Sequence, residues 1–516
     1  MVRWFNVAGP CRPDVHYMLP ASARLPEVLR LVEQQSYFVL HAPRQSGKTT
    51  VMLALACELT ASGRYAAVLV SAEVGAPFQD APDRAEQALL NAWHEDLRYQ
   101  LPADLFLAQW PPAVPGRHIG AALGAWASSC VRPVVIFLDE IDALQDAALI
   151  SVLRQLRDGF RRRPTAFPWA LALIGLRDVR DYKVAAGGSA RLHSASPFNI
   201  KTRSLTLGNF TMDEVAALYA QHTTDTGQMF EPAAIHSAFD LTQGQPWLVN
   251  ALAKVAVEEI VPDLTWPITN HTINQAKDIL ITRQDTHLDS LAERLREPRV
   301  RAVLEPILAG TIPTDLPVDD LRFVQDLGLV RMDATGGLMI ANPIYEAVIP
   351  RSLTTTTRAF LPALTPSWRT PDGRLNPTAL LAAFLAFWRQ HGQPLLGTTA
   401  YHEIAPQLVL LAFLDRVANG GGSVDREIMV GGDRVDLVLR YGHDRLAIEL
   451  KVWRDQRPDA LTAGLAQLDS YLSGLSLATG WLIIFEQRRN QPPIAERTST
   501  TEAQTPSGRI VTVIRA

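Results

Sequence analysis

Cysteine is scarce in this chain. Only Cys11, Cys57 and Cys130 occur among 516 residues, and they are too scattered for a zinc-ligand spacing or a disulfide framework. A reducing cytoplasm is therefore the expected compartment. Long hydrophobic runs are missing as well. The longest, Ala379–Trp388, has ten residues, whereas a membrane-spanning helix needs about twenty, so no membrane partner is expected. The opening Met1-Val2-Arg3-Trp4-Phe5-Asn6 lacks the apolar core of a signal peptide. Positive charge is not in excess. A net charge of −4 excludes a globally basic nucleic-acid binder, although one basic groove suffices in a multidomain protein. Heptads and internal repeats are absent too. What is present is an ordinary globular composition, 47% hydrophobic and 20% charged, in a chain long enough for roughly two to four domains.

The most informative stretch is His41–Thr50, His-Ala-Pro-Arg-Gln-Ser-Gly-Lys-Thr-Thr. The β-branched and aromatic run Tyr37–Leu40 before it reads as a buried strand, and the Ala- and Leu-rich Thr50–Leu59 after it reads as a helix. A loop between strand and helix turns backbone N–H groups and the helix N-terminus toward an anion. Arg44, Gln45, Ser46, Gly47 and Thr50 would then surround a nucleotide's phosphates. Lys48 would reach the β- and γ-phosphates, and the Thr49 hydroxyl would sit on Mg²⁺. Ala42 stands where the G-x-x-x-x-G-K-[ST] pattern has its first Gly, and it is small enough for that turn.

Residues 1–30 form a Pro- and Arg-rich lead-in, from which Tyr17 or Arg24 either wraps a base or packs on the sheet edge. Tyr65–Ser71 reads as a second strand. Val134–Leu138 is a third, ending in Asp139-Glu140-Ile141-Asp142. Asp139 would hold Mg²⁺ through water, and Glu140 would orient and deprotonate the attacking water. A fourth strand, Trp169–Gly175, places Arg177 at its tip as a γ-phosphate sensor. The cluster Arg161-Arg162-Arg163 reads as a subunit or DNA contact, or as a solvated helix end. Strands alternating with helices imply a parallel sheet in an α/β domain over 31–205.

Helices alone follow over 206–290. Thr211 with Glu214 is a capping box, and Gly244-Gln245-Pro246-Trp247 restarts a helix. Residues 291–352 read as a winged-helix module, with a hairpin around Ala334–Gly337. Its helix carries Asp319, Asp320 and Asp326 against Arg322, which repels phosphate and favours domain coupling over DNA binding. Together these motifs resemble the AAA-like and STAND group of P-loop ATPases over about residues 10–350. The resemblance implies ATP-dependent switching, a helical lid and homo-oligomers.

Residues 353–377, with Thr354–Thr357 and several prolines, read as a linker. Beyond it, over 378–516, two apolar helices precede a meander of three strands. Asp436 lies on the second strand, Glu449 and Lys451 on the third. Residues two apart share a sheet face, so two carboxylates and an ammonium can converge there as a Mg²⁺ site with a positive neighbour. Gln467 and Tyr471 share one face of the next helix. Arg488-Arg489, Arg497 and the run to Pro506 read as a flexible loop, either a DNA contact or a disordered segment.

The set Glu403…Asp436…Glu449-x-Lys451…Gln467-x-x-x-Tyr471 resembles the PD-(D/E)XK nuclease superfamily, particularly its RecB-like members, as a C-terminal α/β restriction-endonuclease-like domain. The resemblance implies that Asp436 and Glu449 bind Mg²⁺ or Mn²⁺, with Glu403 as a further ligand. Lys451 would position or activate water, while Gln467 and Tyr471 would steady the site and a nucleic-acid backbone. The resulting expectation is an ATP-regulated, metal-dependent DNA nuclease, of a kind that serves prokaryotic defence against phage or plasmids. The rivals are an ATP-dependent DNA-remodelling protein that does not cut, and a STAND-like signalling or transcription regulator.

Overall fold

The computed structural model describes residues 3–176, 200–283, 291, 293–308, 316–333, 336–360, 366–398, 404–418, 422–430, 433–455, 457–488 and 490–516. The chain divides into two compact units, residues 1–283 with 322–344, and residues 284–321 with 345–516. Among the described residues no helix is long and apolar enough to cross a membrane.

The first unit is built on a five-stranded parallel sheet. Its strands are β1 (Tyr37–His41), β2 (Ala66–Ser71), β3 (Val134–Asp139), β4 (Ala170–Gly175) and β5 (Arg203–Thr206), in the order β2-β3-β4-β1-β5. Alternation along β1 divides the core. Tyr37 and Val39 join one cluster with helices α3 (Pro82–Gln100), α4 (His118–Ser129) and α5 (Asp146–Gly159). Phe38 and Leu40 join the other with α1 (Pro26–Glu33) and α2 (Lys48–Ala61). A strand buried on both faces is apolar along its length, as β1 to β4 are up to their C-terminal ends, where β1, β2 and β3 finish in His41, Ser71 and Asp139.

Helices α6 (Met212–Thr226), α7 (Pro232–Thr242), α8 (Pro246–Val255) and α9 (Asn270–Arg283) follow. The expected capping box opens α6, with Glu214 N donating to Thr211 Oγ1 and Thr211 N donating to Glu214 Oε2. Gly244, at φ +70°, admits no side chain, since a Cβ would collide with the Phe210 carbonyl oxygen.

The segment 291–352, expected as one module, is divided between the two units. Its hairpin, β6 (Val330–Met332) with β7 (Leu338–Ile340), belongs to the first. Ala334 and Thr335 of the expected turn lie outside the described residues.

The second unit carries a six-stranded mixed sheet. β8 (Gly422–Val430), β9 (Asp433–Tyr441) and β10 (Asp444–Trp453) form an antiparallel meander. Helix α12 (Leu461–Leu475) then crosses to β11 (Gly480–Glu486), parallel to β10, and a hairpin of β12 (Ser499–Gln504) and β13 (Ile510–Arg515) completes the order β12-β13-β11-β10-β9-β8. Leu446 and Ile448 face a core with Phe384, Trp388 and Phe413 of the two preceding apolar helices, α10 (Pro377–Thr398) and α11 (Ala405–Ala418). Ala447 faces the opposite core, with Val438, Leu468 and Tyr471.

Described parts of the expected linker and of the expected flexible loop carry regular structure. In 353–377 a helix runs on to Phe360, and Trp368 and Leu375 are buried in the second unit's core. The stretch toward Pro506 is strand β12, whose turn is held by Asp469 through Thr505 Oγ1 at 2.6 Å and Ser507 Oγ at 2.5 Å. Apolar anchors and one buried-side acid, not composition, decide both.

Candidate functional site

The loop after β1 closes on itself. Gln45 and Gly47 take left-handed backbone at φ +57° and +85°, and Ser46 Oγ donates to the Pro43 carbonyl at 2.8 Å. Ala42 is buried in the core beside α2, so its methyl fits where the pattern has Gly. Because α2 begins at Lys48, its unpaired N–H groups face the loop. Lys48 Nζ donates to the carbonyls of Ala42 and Pro43, both at 2.8 Å. Burial pushes this ammonium below its ordinary pKa, against the pull of Asp139 and Asp142. An arriving anion would relieve that cost.

Asp139 ends β3 and is buried opposite Ser71 of β2. Its Oδ2 accepts the Thr49 hydroxyl at 2.6 Å, and its Oδ1 accepts Glu140 N at 2.9 Å. Hydroxyl and carboxylate oxygens are hard donors suited to Mg²⁺. Glu140 sits at φ +54°, and its carboxyl is pushed up to about 7, first by burial and next by the neighbouring Glu73, with Asp139 and Asp142 adding. Such a value suits a general base at neutral pH.

Arg44 and Gln45 of the same loop are exposed, and Thr50 Oγ1 accepts Cys11 N at 3.0 Å. Arg177 lies outside the described residues. Neither lead-in candidate is free to wrap a base. Tyr17 is buried with its hydroxyl 3.3 Å from His222 Nδ1, and Arg24 pairs with Glu214 at 3.1 Å. Both tie the lead-in to α6.

Three further neighbours adjoin the site. Glu73 follows β2 and meets Glu140; an acid just beyond a strand adjacent to β3 was the available signal. Gln245 Nε2 donates to the Gln45 carbonyl at 3.3 Å. Gly328, before β6, lies so close to Pro43 that a Cβ would stand 2.8 Å from its ring. No local pattern announces that contact.

The second cluster lies on the α12 side of the mixed sheet. Ala447 pairs with Val438 and Ile448 with Leu437, which carries Glu449 opposite Asp436. Asp436 Oδ2 accepts Leu450 N at 2.8 Å. Lys451 Nζ donates to Glu449 Oε1 at 2.5 Å, while Glu449, 1% exposed, keeps its buried Oε2 without a hydrogen-bond partner. Burial, then Asp436, pushes the Glu449 carboxyl up to about 8 despite the Lys451 ammonium. Desolvation and like charge therefore outweigh the ion pair.

Tyr471 is buried in the core beneath this face, whereas Gln467 is exposed and makes no hydrogen bond among the described residues. The two sit on opposite sides of the margin of α12's buried stripe. Glu403 lies outside the described residues, and among the described residues no three His, Cys, Asp or Glu side chains gather as metal ligands.

No family model matches the chain, and no curated protein matches it. Among solved structures it is similar to a Walker-type ATPase of Pyrococcus abyssi, at 12% identity and a TM-score of 0.48, over 67% of this chain and 99% of that one. It is similar to the ORC2 protein of Aeropyrum pernix, solved as ADPNP–ADP complexes, at 14% identity and a TM-score of 0.41, over 65% and 94%. A third is the RuvB Holliday junction branch migration motor of Thermotoga maritima, at 15% identity and a TM-score of 0.34, over 64% and 93%.

Proposed function

We propose that the first unit binds and hydrolyses ATP and that the second is a metal-dependent phosphodiesterase acting on DNA under the control of the first. The ATPase reading rests on one observation, the hydrogen bond that joins Thr49 of the loop to Asp139 of β3. Lys48 would exchange the Ala42 and Pro43 carbonyls for β- and γ-phosphate oxygens. Glu140 would take the proton of the attacking water, with Arg177 at the γ-phosphate.

The nuclease reading rests on the buried Glu449 Oε2, which has no donor and faces a second carboxylate. That arrangement fits a divalent cation, held by Asp436 and Glu449 with Glu403 as a further ligand. When bound, Mg²⁺ or Mn²⁺ would polarise the phosphodiester and lower the pKa of water. Lys451 would hold the attacking water and offset the charge that gathers on phosphorus oxygens.

The test is purified protein with Mg²⁺ or Mn²⁺ on linear, circular and single-stranded DNA, with and without ATP. Cleavage is expected in the wild type and not in Glu449→Ala or Lys451→Ala, while both variants keep ATPase activity. Lys48→Ala should lose nucleotide binding and change the cleavage rate. Variants that cut like wild type would leave only the ATPase.

A further inference from the structure

Glu73 and Glu140 stand on two short segments of the first unit, and one side chain fastens those segments together. The pairing of β2 with β3 runs one step past Ser71, where Ala72 N donates to the Asp139 carbonyl at 2.9 Å. There the two chains part. Glu73–Phe78 forms a 3₁₀ turn, while Glu140 opens a link to α5 that contains the 3₁₀ turn Ile141–Ala143. This link begins and ends on strained backbone. Glu140 and Asp146 hold left-handed conformations at φ +54° and +44°, which a residue with a side chain seldom keeps without support from its surroundings.

Within the link, Ala143 N donates to the Glu140 carbonyl at 2.9 Å and Leu144 N to the Ile141 carbonyl at 3.2 Å. Support from the other segment comes from Gln79. Its Nε2 donates to the carbonyls of Ala143 at 2.8 Å and Ala76 at 2.7 Å, and its Oε1 accepts Gln145 N at 2.5 Å. Its own carbonyl accepts Ala148 N, in the first turn of α5, at 3.1 Å. Both amide hydrogens and the amide oxygen are therefore engaged, one on its own turn and two on the link that carries Glu140. Gly75 permits the close approach, since a Cβ there would stand 2.6 Å from Leu144 Cδ2. None of these partners is a phosphate or metal group of the proposed site.

We propose that Gln79 is a positioning residue for ATP hydrolysis: by joining the turn after β2 to the link after β3, it sets Glu140 against Glu73 and holds the base in place. The role rests on the ATPase reading and adds to it the group that fixes the base. Glu140 also faces Asp139 and Asp142 of its own segment and the Lys48 ammonium of the loop. Of the three acids Glu73 acts on it most, and Glu73 is the one that comes from the segment Gln79 fastens. Without the brace Glu140 turns from Glu73 toward water, so its carboxyl ionises at lower pH.

Gln79→Met keeps the length of the side chain and removes its three hydrogen bonds. On the full chain, phosphate release from about pH 5 to 9 reads turnover, and titration with a fluorescent ATP analogue reads binding. Affinity should stay within about twofold of the wild type while kcat falls at least about tenfold. The limb on which kcat rises with pH should move down by at least about half a pH unit. In a Glu73→Gln background the same substitution should move the limb no further, because the group it brings to Glu140 is already neutral. A purely structural role would weaken binding and turnover together. An unmoved limb, a wild-type kcat, a loss of nucleotide binding, or a limb that moves as far in the double variant would each overturn the proposal alone. A wild type that hydrolyses no ATP would instead remove the ATPase reading, and the proposal with it.

Discussion

Thr49 Oγ1 and Asp139 Oδ2 meet at 2.6 Å although 90 positions separate them in the chain. The contact exists because β1 and β3 flank β4 in one parallel sheet, so the loop after β1 and the tip of β3 emerge at the same edge. Parallel sheets build their sites at that carboxyl edge, outside the strand ends.

Glu140 and Glu73 give the first pH prediction. With its carboxyl at about 7, Glu140 is increasingly deprotonated as pH rises through that value, so ATP hydrolysis should rise along the same limb. Glu73→Gln removes one of the groups holding that value up, and the limb should move to lower pH. Glu140→Gln should retain nucleotide binding and lose turnover at least about a hundredfold. Phosphate release measured from pH 5 to 9 checks all three, and an unmoved limb in Glu73→Gln would remove Glu73 from the site.

Gly328 touches Pro43 too closely for a side chain, and its φ of +72° already disfavours one. Gly328→Val should displace the phosphate loop or the hairpin, weakening nucleotide affinity roughly tenfold or more, at a stability cost of about 1–3 kcal/mol. Titration with a fluorescent ATP analogue reads the first effect and thermal melting the second. Wild-type affinity in this variant would show that the hairpin does not bear on the loop.

Glu449 is an acid whose folded value, about 8, lies above its ordinary 4.5. Folding therefore takes up a proton between those values, and the second unit should lose stability as pH rises across that window. Glu449→Gln keeps the shape without the charge. In chelator at pH 8 it should be more stable than the wild type, on the order of 3 kcal/mol, with the gap closing toward pH 4.5. Mn²⁺ should raise the melting temperature of the wild type and leave the variant unmoved. Equal melting of the two proteins at pH 8 would mean that the carboxyl is not held out of water.

Asp469 has the opposite sign. The Ser507 and Thr505 hydroxyls, with Arg509, hold its carboxyl down at about 2. Its contribution is complete above the ordinary carboxylate value and is lost as pH falls toward 2. Asp469→Asn should destabilise the β12–β13 hairpin by roughly 1–2 kcal/mol at pH 7 and by nothing near pH 2. Hydrogen exchange along β12 at the two pH values reads it locally.

Much of this was legible in the sequence because its causes are local. Tyr37–Leu40 read as a buried strand, Thr211 and Glu214 opened a helix, and a period of two set Glu449 and Lys451 on one face whatever surrounded them. Lys48 and Thr49 followed from the turn that a Gly-Lys-Thr-Thr helix start imposes. Tertiary packing decided the rest. That Glu73 lies against Glu140 depends on β2 being the neighbour of β3. Pro43 and Gly328 meet only because a stretch far along the chain folds into the first unit. Helical spacing placed Gln467 and Tyr471 together, yet the edge of the buried stripe runs between them, and only the sheet beneath α12 fixes where that edge falls. Arg24, left open between a base and the sheet edge, pairs with Glu214, a contact that no local pattern encodes. Periodicity is a property of a few consecutive residues; which faces meet is set by how the whole core excludes water.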